Sequence, residues 1–346
     1  MNLTHHDLSH VLEQTRDLWD DLRGARLFIT GGTGFFGRWL VESFLYANQL
    51  LDLKACASIL SRQPASAEQA SPRLLNNSAI SFVQGDVRNF PFPSGEFSHI
   101  IHAATDASAR LNNENPSLML DTIMEGTQHT LDFAIQCKAE KFLFTSSGAI
   151  YGRQPDGMTH IPEEYNGAPD PTDPRSAYGI GKRTAEHLCA LYSRQYNLHT
   201  TIARCFAFVG PYLPLDVHFA IGNFIRDGLN GGPLMIQGDG TPYRSYLYAA
   251  DLAIWLWVIL LRGESCRPYN VGSDEAFTIE EVAQLVVEQF KSRIEVTILG
   301  AHDPAKAPER YVPAISRARV ELGLDVWLPL REAIAHTIHF HKGLKS

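Results

Sequence analysis

Two residues four apart, Tyr178 and Lys182, carry the first suggestion of chemistry in this 346-residue chain. On a helix that spacing sets a phenol and an ammonium on one face. A tyrosine whose pKa stays near 10 is a poor base at neutral pH. A neighbouring cation favours the phenolate and draws it toward a useful range. Such pairs arise by chance on many helices, and this one gains weight from the run Thr145-Ser146-Ser147-Gly-Ala-Ile-Tyr-Gly152. That run leaves a strand-like segment at its carboxyl end. A Ser147 hydroxyl there is placed to hydrogen-bond the oxygen whose proton Tyr178 takes.

A second cluster is Gly31-Gly-Thr-Gly-Phe-Phe-Gly37, which contains a Gly-x-Gly-x-x-Gly string between an apolar strand and a helix. Glycine at such a junction permits the tight turn and lets a pyrophosphate reach the backbone. It also allows helix and strand to pack closely, while the N–H groups of the helix start face the phosphates. Gly31, Gly34, Phe35, Phe36 and Gly37 are therefore candidate contacts for a nicotinamide dinucleotide, whose oxidised ring would be a further cation beside Tyr178. An acid at the end of the next strand normally takes the adenosine ribose diol. Here that strand ends in Ser61-Arg62. A hydroxyl and a guanidinium suit a ribose phosphate, which favours NADP over NAD, with Arg38 as a further cation.

These residues need elements to hold them. Apolar patterning predicts strands over 26–30, 55–60, 80–84, 99–102, 141–145, 201–206 and 269–271. Helices are predicted over 38–48, over 115–137 with Asn115 as cap before Pro116, and over 177–196. An amphipathic lead-in helix over 7–22 stops near Gly24, and 61–77 reads as a polar connector. Strand–helix alternation argues for an α/β fold, a doubly wound parallel sheet covered on both faces. Past Phe206 the pattern loosens into Pro- and Gly-rich turns, which suggests a smaller substrate lobe. The expected division is a lead-in at 1–23, a dinucleotide-binding Rossmann domain at 24–207 and about 247–275, and a substrate lobe at 208–246 and 276–346.

In one order the chain carries the glycine turn, Gly85-Asp86-Val87, His102-Ala103-Ala104, the serine-rich turn and the Tyr-x-x-x-Lys. Arg204-Cys-Phe206, Arg244-Ser-Tyr246 with Asp251, and Tyr269-Asn-Val-Gly272 follow. Together they resemble the extended short-chain dehydrogenase/reductases of the NAD-dependent epimerase/dehydratase family, whose members act on nucleotide-activated sugars. The resemblance implies that Asp86 and Val87 meet the adenine and that Ala103 and Ala104 line the ribose and pyrophosphate path. It makes Ser147, Tyr178 and Lys182 the catalytic set, with Lys182 also holding the nicotinamide ribose. Arg244 and Arg310 would clamp a nucleotide-sugar diphosphate, a task suited to a fork-shaped guanidinium, and Asn223 would join the substrate site.

Departures from the family pattern bear on the reaction. In sugar-nucleotide 4,6-dehydratases an Asp-Glu pair follows the catalytic hydroxyl, and decarboxylating relatives keep the Glu; here the two positions are Gly148 and Ala149. Neither transfers a proton. Ala207 replaces an Asn that contacts substrate in many members. The implied activity is epimerisation through a transient 4-keto sugar, with an NADPH-dependent 4-ketoreductase as alternative and dehydration disfavoured. A non-catalytic dinucleotide sensor would have no use for Ser147, Tyr178 and Lys182 together. The resemblance also implies a homodimer formed through the helices at 115–137 and 177–196.

Composition narrows the classes. Thirty Lys+Arg against thirty-eight Asp+Glu give a net charge of −8, unsuited to a dedicated nucleic-acid binder. Five scattered cysteines without a CxxC pair predict neither disulfide framework nor zinc cluster, and fit a cytoplasmic protein. The apolar run 252–261, with Trp255 and Trp257, is half a membrane span and reads as buried core. His5, His6 and His10 lack a ligand-spaced partner, so no metal is expected. Asp216 and His218 fall in a loop that reads as solvated or as substrate-facing.

Overall fold

The computed structural model describes residues 3–65, 77–105, 109–217 and 219–345. Helix α1 (His5–Gln14) starts at Thr4, whose hydroxyl accepts the Asp7 N–H at 3.1 Å. The lead-in is not one helix. After Gln14 it tightens into a 3-10 turn over Arg16–Leu22, because the Thr15 hydroxyl donates back to the Val11 carbonyl at 2.5 Å and accepts the Trp19 indole N–H at 2.8 Å.

The strands, in chain order, are β1 (Arg26–Thr30), β2 (Cys56–Ser61), β3 (Ile80–Gln84), β4 (His99–His102), β5 (Lys141–Ser147), β6 (His199–Cys205) and β7 (Phe208–Val209). They continue as β8 (Leu234–Ile236), β9 (Tyr243–Arg244), β10 (Leu247–Tyr248), β11 (Pro268–Val271), β12 (Phe277–Thr278), β13 (Val296–Ile298) and β14 (Arg310–Tyr311). Seven of them form one parallel sheet in the order β3-β2-β1-β4-β5-β6-β11. The direction of winding reverses between β1 and β4, which opens a crevice at their carboxyl ends. Strand β5 runs two residues past its predicted end, since Ser146 and Ser147 still pair with Arg204 and Cys205 of β6.

The helices after α1 are α2 (Phe35–Leu50), α3 (Ala109–Glu114), α4 (Pro116–Gln136), α5 (Ala177–Tyr196) and α6 (Ala220–Leu229). Then come α7 (Ala249–Arg262), α8 (Ile279–Val287), α9 (Ser316–Leu322) and α10 (Leu330–Lys345). Helix α2 starts at Phe35, directly after the glycine turn and three residues before its predicted start.

Side-chain alternation along the strands divides the core. Leu27, Ile29 and Leu143 pack with α1, α2 and α7 on one face, while Phe28, Phe142 and Phe144 pack with α4 and α5 on the other. Trp255 and Trp257 are fully buried in α7. The lead-in belongs to this same core, with Leu8, Val11, Trp19 and Leu22 buried. No helix among the described residues is long and apolar enough to cross a membrane. Beyond β6 the short strands pair apart from the main sheet: β7 with β10, β8 with β13, and β9 between β12 and β14.

Candidate active site

The crevice between β1 and β4 leads into a cleft of about 950 Å³. Gly31 holds φ +72°, and a Cβ there would lie 2.4 Å from the Ala103 carbonyl oxygen. A Cβ on Gly37 would come within 2.1 Å of the Gly31 carbonyl oxygen, so this glycine serves the strand–helix contact and does not line the cleft. Gly34 caps α2 without any side-chain bond, which leaves the first N–H groups of the helix facing the cleft for an anion. Gly31, Gly34, Phe35, Phe36 and Ala103 all line it. Beneath the turn, Thr30 bonds the His102 imidazole at 2.8 Å and accepts the Ala104 N–H at 3.2 Å.

The predicted adenosine contacts lie outside this lining. Ser61 is buried at the end of β2, where its hydroxyl accepts the Gln63 N–H at 3.2 Å, and Arg62 is exposed. Asp86 is held by Arg88 through two side-chain bonds of 2.8 and 3.1 Å, which keep its carboxyl below the usual range against the cost of burial. Val87 fills the space beside Gly126, where a Cβ would stand 2.8 Å from it. Arg38 donates to the Thr33 carbonyl at 3.2 Å and lies over the Tyr212 ring.

Ser147, Tyr178 and Lys182 meet in the cleft. Tyr178 opens α5, where its N–H is taken by the Asn112 side chain of α3 at 3.0 Å. Lys182 is buried one turn on and donates to the Thr145 carbonyl at 2.7 Å and the Thr105 hydroxyl at 2.8 Å, over the Phe144 ring. Ser147 Oγ accepts the Ala149 N–H at 3.1 Å. The same hydroxyl interacts with two phenols that line the cleft, Tyr178 and Tyr311, and favours the phenolate of each.

Burial sets the electrostatics, and for the phenol it runs against the expectation of a lowered pKa. It pushes Tyr178 up to about 12, with Ser147 pulling the other way. Lys182 is driven down to about 8 by the same desolvation. The ammonium is committed to Thr145 and Thr105 rather than to the phenol. Cys205, beneath them, is pushed up to about 12 and remains a thiol.

Toward the substrate end the cleft is lined by Phe206, Ala207, Val217, Phe219, Arg244 and Tyr311. Arg244 donates to the Tyr243 carbonyl at 2.8 Å and forms no ion pair among the described residues. Arg310 does not line the cleft; its guanidinium lies 3.9 Å from the Tyr243 ring centre. Pairing of β14 with β9 sets Arg310 beside Tyr243 and Tyr311 beside Arg244, so strand alternation turns Tyr311 into the cleft. Asn223 also lies outside the lining and accepts from Arg226 at 3.1 Å. Asp216 is exposed, and His218 lies outside the described residues. His10 bonds Asp251 at 3.1 Å, and His5 bonds Tyr46 at 3.3 Å.

Tyr311 and Thr105 are site residues that sequence reasoning missed. Thr105 follows directly on His102-Ala-Ala, a signal within reach. Tyr311 had none apart from its neighbour Arg310.

A doubly wound sheet, an open glycine turn at its switch point and a Ser–Tyr–Lys set in the same cleft define an enzyme that works with a dinucleotide. Residues 27–272 match the family model described as NAD dependent epimerase/dehydratase family. UDP-glucuronic acid decarboxylase 6 of Arabidopsis thaliana is 31% identical over 310 residues, 89% of this chain and 86% of that protein. Among solved structures, UDP-glucose 4-epimerase of Thermus thermophilus in complex with NAD is 26% identical, with a TM-score of 0.74 over 92% of this chain and 99% of that one. UDP-glucuronic acid 4-epimerase from Bacillus cereus, in complex with UDP-glucuronic acid and NAD, shares the fold at 21% identity and a TM-score of 0.77, over 92% and 99% of the two chains. The chain belongs to the NAD-dependent epimerase/dehydratase family of nucleotide-sugar-modifying enzymes.

Proposed function

We propose that the enzyme epimerises a nucleotide-diphosphate sugar through transient oxidation at C4. What supports this reading most is the meeting of Ser147, Tyr178 and Lys182 in a cleft where Gly148 and Ala149 offer no carboxyl group. Tyr178 removes the hydroxyl proton, and Ser147 hydrogen-bonds the same oxygen. The nicotinamide cofactor, when bound, supplies the hydride acceptor and a positively charged ring. Gly31, Gly34, Phe35, Phe36 and Ala103 would hold its pyrophosphate half, Asp86, Val87 and Ala104 its adenosine side, and Lys182 the nicotinamide ribose. Arg244 would take the substrate diphosphate, with Arg310 and Asn223 as outer contacts. Tyr178 would hand its proton back to the same oxygen as the ketone is reduced on its other face, which would complete the epimerisation.

Ser61 and Arg62 favour NADP, and exchangeable NADPH would suit the second reading, a 4-ketoreductase. Decarboxylation, the activity in the Arabidopsis relative's name, is disfavoured because Ala149 lacks the expected carboxyl. One experiment separates the three: purified protein with UDP-glucose, UDP-glucuronic acid or a UDP-4-keto sugar and either cofactor, followed for 4-epimer, carbon dioxide and NADPH consumption. Epimer formation supports the proposal; carbon dioxide release, or NADPH consumption on a 4-keto sugar without epimer, overturns it. We propose, too, a homodimer through α4 and α5, where Leu191 and Tyr196 are exposed apolar residues. Mass measurement in solution is expected to give twice the chain mass, and a monomer at all concentrations would refute the dimer.

A further inference from the structure

Ser147 Oγ can take part in three hydrogen bonds, accepting two and donating one. One acceptor position is filled by the Ala149 N–H at 3.1 Å. One acceptor position and one proton remain, and two phenols of the same cleft wall interact with this hydroxyl, the Tyr311 oxygen lying against the adjacent Gly148. Once Tyr178 has given up its proton, its oxygen can only accept. Before a sugar enters, the serine proton is then left to point at Tyr178 and the vacant lone pair to accept from Tyr311; when the sugar binds, that proton turns to its oxygen.

Tyr311 is held for that role. Its strand is fixed next door, where the Val312 carbonyl accepts the Ile161 N–H at 2.9 Å and the Val312 N–H reaches the Gln154 side chain at 3.1 Å. The Tyr311 ring packs on Phe206 with centroids 4.7 Å apart. A Cβ at residue 148 would stand 2.7 Å from the Tyr311 hydroxyl and 2.8 Å from Phe206. Glycine at 148 is what admits the phenol. Burial pushes both phenols up, and since the functional reading makes Tyr178 the base, Tyr311 is the one left with its proton.

We propose that Tyr311 is a positioning residue that acts through Ser147, donating to the serine oxygen so that the serine proton points at the ionising oxygen of Tyr178. The chain runs Tyr311 O–H to Ser147 O–H to Tyr178, and each bond polarises the next. It deepens the functional reading above, resting on Tyr178 as the base. Cys205 of β6, Lys182 of α5 and Arg244 of β9 share the cleft wall, and Tyr311→Phe alters none of them chemically.

The variant Tyr311→Phe keeps the ring and its packing on Phe206. Ionisation of Tyr178 is read in the NAD-loaded protein as the phenolate ultraviolet difference between each protein and its Tyr178→Phe counterpart, with no substrate needed. In Tyr311→Phe the midpoint is expected to rise by about one pH unit, which lowers turnover roughly tenfold at neutral pH and restores it at alkaline pH. Ser147→Ala should raise the midpoint at least as far, and adding Tyr311→Phe to it should change nothing more. An unmoved midpoint in Tyr311→Phe, or a further rise in the double variant, overturns the proposal. Hydride transfer that persists in Tyr178→Phe would instead refute the assignment of the base, so the two failures are told apart.

Discussion

Lys182 and Tyr178 are each shifted away from the charged form by the same dry surroundings, the amine down to about 8 and the phenol up to about 12. For a phenol that starts so far from ionisation to serve as the proposed base, it depends on what is added when the cleft fills, and on the donor already present at Ser147. Tyr178→Phe keeps the ring and removes the acceptor. Turnover should fall by roughly 10² to 10⁴-fold, while the dissociation constant for the dinucleotide, read by fluorescence titration, stays within a factor of about three. The triad was legible because helical spacing and a strand-end turn each carry local information. Tyr311 was not, since its place depends on the pairing of β14 with β9. At that site a one-residue change of parity decides whether Arg310 or Tyr311 enters the cleft.

Between the elements, motif residues without an evident chemical task turn out to fasten the sheet beneath the site. Glu186 of α5 accepts from Ser146 at 2.5 Å and from Arg204 at 2.8 Å. Arg204 also donates to the Tyr151 hydroxyl at 2.8 Å, and Tyr151 donates to Asn270 at 2.8 Å. The Asn270 N–H reaches the Glu163 carboxylate at 2.9 Å, and its amide holds the carbonyls of Ile161 and Ala314. One network thus ties β5, α5, β6 and β11 to the segment that leads out of β14. With the Arg204–Glu186 side chains only 12% and 11% exposed, removing one partner strands the other. Arg204→Met should cost about 3 to 5 kcal/mol in urea unfolding, whereas breaking the fully exposed, solvent-screened pair of Lys138 and Glu96 should leave the unfolding midpoint nearly unmoved. Strand and helix positions were readable from apolar periodicity. Their ends were not, because β5 extends for as long as β6 offers partners and α2 starts wherever the glycine turn frees an N–H.

For the molecule as a whole, buried imidazoles add to the loss of stability in acid. His102 is pushed down to about 3 and His99 to about 4 from an ordinary 6.5, both by burial, with Lys141 adding to the effect at His99. Below pH 6.5 the unfolded chain takes up these protons and the folded protein does not. Stability should therefore decline as pH falls from about 6.5 toward 4, by up to about 1.4 kcal/mol per pH unit for each group. His336 has the opposite sign, raised by the Asp7 carboxylate, and its stabilisation is present at acid pH and lost as pH rises through its folded value. His102→Gln should flatten the acid slope of the unfolding free energy in urea titrations; an unchanged slope would remove His102 from the account.

Asp251 also accepts the backbone N–H groups of Trp327 and Leu328 at 3.0 and 3.1 Å, besides His10, from which it is 241 residues distant. A ribosome adding roughly 5 to 20 residues per second takes about 12 to 48 seconds to cross that interval. Throughout it α1 has α2 to rest on, but the part of its apolar side that packs on α7 stays uncovered. Helix α1 thus gains its full set of neighbours only once the chain has run past α7 and on to Leu328.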